Sequence, residues 1–133
     1  MGLYARLINT PLACPKCGVA RTDAWQFQFG DVHDLPQYEI GDSIHWDTLH
    51  CYGFASLREV YAVAYPEAEV FCPGCTDTIL GQVVIIDGKV RALKFLEFGH
   101  HKVELFYVGA ERKPYYIDDK SRGRVTTIRP QGL

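Results

Sequence analysis

Two short stretches, CPKCG beginning at Cys14 and CPGC beginning at Cys72, repeat one cysteine spacing in distant parts of the chain. A C-x2-C turn brings two thiolates to one ion, and two such turns complete the tetrahedron that structural Zn²⁺ prefers. If Cys14, Cys17, Cys72 and Cys75 share one ion, residues 18–71 become a closed loop, and the chain must bring its two knuckles together. The entropy of closing a loop grows only slowly with its length. Zinc binding, at about 10–16 kcal/mol in small peptides, is large enough to offset it. Iron held in the same shell, paired redox thiols and inert buried cysteines are the other readings of these residues. No βαβ pattern of the thioredoxin kind surrounds either pair, which argues against redox work.

The total of five cysteines is odd, so a closed disulfide framework is not expected. The opening MGLYARLIN lacks an apolar segment followed by a small-residue cleavage site. Gly2 would suit myristoylation, but Arg6 stands where that motif wants Ser or Thr. The longest apolar runs, such as VVII at 83–86, are far too short to span a bilayer. A cytoplasmic protein with no membrane partner is the expectation. At 133 residues, 47% hydrophobic and 23% charged, the chain suits one globular domain over 1–133.

Hydrophobic patterning is mostly that of strands. LYARLI alternates and leads into the first cysteine pair. In AWQFQFGD, Trp25, Phe27 and Phe29 share one face, with Gln26 and Gln28 on the other. QYEIGDSIHW reads as a further strand interrupted at Gly41-Asp42. In GQVVIIDGKVRALKFLEF the pair Asp87-Gly88 predicts a hairpin, because a type I′ turn needs positive φ at both central residues. KVELFYVG continues the series, and RVTTI suits an edge strand in an otherwise flexible basic tail, 119–133. Residues 56–65 are ambiguous. Ser56 and Glu59 fit a helical capping box, whereas Tyr61, Val63 and Tyr65 alternate as in a strand. The neighbouring strands favour the second reading.

The two knuckles, each flanked by strand-like sequence, resemble those of zinc ribbons and rubredoxin-like proteins. The resemblance covers about a third of the chain. It implies a structural Zn²⁺ held by Cys14, Cys17, Cys72 and Cys75 on β-hairpins. Gly18 matches the glycine that usually follows a knuckle, whereas Thr76 and the long intervening segment depart from the pattern. The expected fold is mainly β: antiparallel hairpins with a zinc-ribbon-like four-cysteine site and room for one short helix. In size and single-domain build the chain is also similar to small bacterial immunity proteins that neutralise toxins.

A zinc ribbon implies no particular activity, so function must come from elsewhere. From Asp23 to Leu57 there are six acidic residues and no Lys or Arg. The last 23 residues reverse this, with six bases against three acids. The expected function is a non-enzymatic, zinc-stabilised interaction module of the inhibitor or immunity type. It binds a basic protein through Asp31, Asp34, Tyr38, Glu39, Asp42, Trp46, Asp47 and Tyr52, with the aromatics as anchors.

Two alternatives stand beside it. One is a nucleic-acid-binding zinc ribbon using Arg122, Arg124 and Arg129, although a net charge of −2 offers no general basic footprint. The other is an enzyme with Cys51 as nucleophile and His50 as base, with His45 nearby. Adjacent strand residues point to opposite faces, which weakens the pairing of Cys51 with His50. His100-His101 and Asp118-Asp119 read as solvated turns. Trp25, Phe27 and Phe29 read as core rather than as a platform for stacked bases. No common catalytic or nucleotide-binding motif is present.

Overall fold

The computed structural model describes residues 4–21, 24–33, 35–46, 51–67, 80–96, 104–111, 113–117 and 128–130. Among these the chain is mainly β, and there is no helix. The short helix allowed for in the expected fold does not form over 56–65. That segment instead runs into β8, Glu59–Pro66, whose alternation of Val60, Ala62 and Ala64 places all three fully inside. The helical face of the same residues loses because β8 is bonded along both of its edges.

Sheet order follows from that strand. One edge of β8 carries β9, Gly81–Ile86, over residues 59–64. Its other edge is divided. Val60–Ala62 pair with β11, Glu104–Val108, while Tyr65 and Pro66 pair with β4, Trp25–Phe27. Beyond β4 come β1, Ala5–Leu7, antiparallel to it, and then β6, Gln37–Tyr38, parallel to β1. Beyond β11 come β12, Lys113–Ile117, and β13, Ile128–Pro130, both antiparallel. The edge strand expected at RVTTI is seen from its last residue, Ile128, onward; 124–127 lie outside the described residues, as does most of the tail.

The hairpin expected at Asp87-Gly88 is present. Asp87 has φ +49° and Gly88 φ +78°, and the turn joins β9 to β10, Lys89–Phe95. The sheet then curls until β10 meets the segment that follows β6. Ser43 bridges Lys89, Gly41 N–H donates to the Val90 carbonyl at 2.7 Å, and Val90 N–H donates to the Asp42 carbonyl at 2.9 Å. The interruption in QYEIGDSIHW is therefore a turn, and the residues after it close the curl.

Inside the curl sit Trp25, Phe27, Tyr38, Val60, Ala62, Val83, Ile85 and Val90, all 1% exposed or less. The opposite face of β8 and β9 is covered as well, since Val63, Gln82 and Val84 are also buried. Burial on both faces explains why VVII reads as an unbroken apolar run rather than an alternating one. Gln82 is tolerated there because its side-chain amide donates to the Phe95 carbonyl at 3.1 Å. Trp25 Nε1 has no such acceptor among the described residues. An unmet buried donor costs about 1–3 kcal/mol, which the large apolar area of the indole outweighs.

The fork between β4 and β11 is filled by aromatic rings. Phe29 packs edge-on against Phe106, with centroids 5.1 Å apart, and against Trp46 at 5.3 Å. Below the fork, a two-stranded piece pairs β5, Gly30–Asp31, with β7, Cys51–Tyr52.

Candidate functional site

The first cysteine pair lies on a hairpin of its own. β2, Leu12–Ala13, pairs with β3, Ala20–Arg21, and CPKCG forms the bend between them. Cys14 N–H donates to the Val19 carbonyl at 2.8 Å, and Gly18 N–H donates to the Cys14 carbonyl at 2.9 Å. Gly18 holds φ +78°, a left-handed conformation that costs glycine nothing and most other residues about 1 kcal/mol. Cys14 is buried at the base of the bend, while Cys17 is exposed at its tip.

Cys72 and Cys75 lie outside the described residues. Among the described residues no group of three or more His, Cys, Asp or Glu gathers to hold a metal ion. Strand pairing nonetheless ties both cysteine-bearing segments to one end of β8. Pro66 at that end pairs with Trp25, which pairs with Leu7, and Glu67 N–H donates to the Ala24 carbonyl at 2.9 Å. The hairpin of Cys14 and Cys17 connects Leu7 to Trp25. The segment 68–79 connects Glu67 to Leu80, whose neighbour Gly81 pairs with Ala64. Cys72 and Cys75 are each five residues from those anchors, a reach of roughly 17 Å when extended. Arg6 reinforces this end. Its guanidinium grips both Glu67 carboxylate oxygens, at 2.5 and 2.8 Å, and that hydrogen bonding raises its pKa above the ordinary value. The donor chemistry of two thiols on a tight bend fits half of a tetrahedral zinc shell.

The acidic segment divides sharply between inside and outside. Asp31, Tyr38 and Tyr52 are buried, at 6%, 1% and 4% exposure. Asp31 accepts the His33 N–H at 2.9 Å in a local turn. The Tyr38 hydroxyl accepts the His45 N–H at 3.1 Å, and its ring packs on Phe27. The Tyr52 hydroxyl accepts from the Gln28 amide at 3.4 Å, and burial pushes its pKa up. Tyr38 and Tyr52, expected as anchors for a partner, both lie in the hydrophobic core. Trp46 is half-buried against Phe29. Asp34 and Asp47 lie outside the described residues.

Among the described residues the exposed acids of this segment, Glu39 and Asp42, lie on one turn. Glu39, Ile40, Gly41 and Asp42 form a type II bend, with Asp42 N–H donating to the Glu39 carbonyl at 3.0 Å. Gly41 supplies the positive φ, +101°, that this turn needs at its third position. The Asp42 carboxylate closes the bend from the other side by accepting the Glu39 N–H at 2.8 Å. Ile40, 45% exposed, stands between the two acids. Leu35, on the approach to β6, is 41% exposed and has φ +49°, a conformation that costs a bulky residue about 1–2 kcal/mol. Neither apolar residue stands out in the sequence, although EIGD carries the glycine signature of a type II turn.

Cys51 is half-buried on β7, opposite Asp31, while its supposed base His50 lies outside the described residues. His45 is exposed, with its ring 5.3 Å from that of Tyr38. His100, His101, Asp118, Asp119, Arg122 and Arg124 also lie outside the described residues. Arg129 sits on β13, opposite Tyr116. Trp25, Phe27 and Phe29 are at most 1% exposed, so they form core and offer no platform for bases. No helix among the described residues is long and apolar enough to cross a membrane. Compared with protein-family models, curated proteins and solved structures, the chain matches none.

Proposed function

We propose that this chain is a non-enzymatic, zinc-stabilised protein-interaction module of the inhibitor or immunity type, working in the reducing cytosol. It presents the turn at 39–42 to a basic protein. The observation that carries this reading is the exposed Glu39–Asp42 bend, with Ile40 at its tip, held by backbone hydrogen bonds to Val90. A turn fixed in advance loses little entropy on binding. Paired carboxylates around an apolar tip suit a cationic surface with a shallow apolar recess, where charge speeds encounter and sets orientation. In this reading zinc held by Cys14, Cys17, Cys72 and Cys75 steadies the chain at the Pro66 end of β8.

The test starts from affinity capture of the partner from the native cell. Binding of that purified partner is then compared between the native chain and a variant carrying Asp34→Lys and Glu39→Lys with Asp42→Asn. Affinity is expected to fall at least tenfold, with the native complex weakening steeply as salt rises. Unchanged affinity in a variant that still unfolds cooperatively would overturn the acidic-turn reading.

A further inference from the structure

We draw no further inference here: the strongest candidate, the surface patch where the turns at 39–42, 54–57 and 87–88 approach one another and leave Ile40 and Phe54 exposed, belongs in part to the face already proposed, and nothing in the structure shows what covers its Phe54 side.

Discussion

Asp42 and Glu39 hold each other in two directions: the Asp42 carboxylate accepts the Glu39 N–H at 2.8 Å, and the Asp42 N–H returns to the Glu39 carbonyl at 3.0 Å. Asp42 therefore shapes the turn and charges it, and the two roles are separable. Asp42→Asn keeps an oxygen acceptor and removes the charge, so its melting temperature should stay within about 1–2 °C of native. Asp42→Ala removes the acceptor and should cost about 1 kcal/mol, or roughly 3–5 °C, in a thermal melt. If the turn is the binding face, both variants lose affinity, and the alanine variant loses more.

The proposed zinc site at Cys14, Cys17, Cys72 and Cys75 predicts a dependence of stability on metal. Elemental analysis of protein purified without chelator should find about one zinc per chain, and a strong chelator should lower the melting temperature by well over 10 °C. Cys14→Ser should reproduce that loss, whereas Cys51→Ser should not. Because thiolates must be deprotonated to bind metal, the zinc-dependent part of stability should fade as pH drops below about 6. A metal content near zero would sink the clamp.

Phe106 tests the fork in the sheet. It is fully buried and packs edge-on against Phe29. Phe106→Ala should cost about 3–5 kcal/mol, measured by urea denaturation. Phe106→Leu should recover more than half of that by refilling the volume. Equal losses in the two variants would mean that the site cannot relax around a branched side chain.

Tyr52 and Tyr65 set an alkaline limit. Burial raises the pKa of both phenols above the ordinary value. A raised phenol binds its proton more tightly when folded, so its stabilising contribution is complete below the unfolded pKa near 10 and disappears as pH rises through the folded value. Chemical denaturation between about pH 8 and 11 should show stability falling above about pH 10, with a shallower decline in Tyr52→Phe. A native chain whose stability is flat across that window would contradict the assignment.

Much of this architecture is legible residue by residue, and the exceptions have physical causes. Asp87-Gly88 marks its hairpin because few residue pairs accept positive φ twice in succession. The alternation of Trp25, Phe27 and Phe29 reports burial on one face, and all three are inside. Residues 56–65 satisfy helical and strand periodicities equally well, and the outcome depends on β9, β4 and β11, none of them local. Tyr38 and Tyr52 sit on strands of two residues, too short for any periodicity to show which way a ring points. Tyr38 is carried inside where the curl closes, by Ser43 and Lys89 across 46 positions of sequence, and Tyr52 joins the same core from a separate two-stranded piece. The exposed counterpart, Ile40, was hidden for the opposite reason: an isoleucine among acids reads as core until the turn beneath it is seen.

The divided edge of β8 also carries a hazard during synthesis. Along the emerging chain the partner of Val60–Ala62 on one side, β9, precedes the partner on the other, β11, which begins at residue 104. Until then an apolar central strand presents unpaired N–H and C=O groups to whatever passes, the arrangement most prone to edge-to-edge aggregation. Chains that terminate before Glu104 keep that open edge permanently. The strands after it, whatever else they do, serve as the cover that makes the rest of the sheet safe to build.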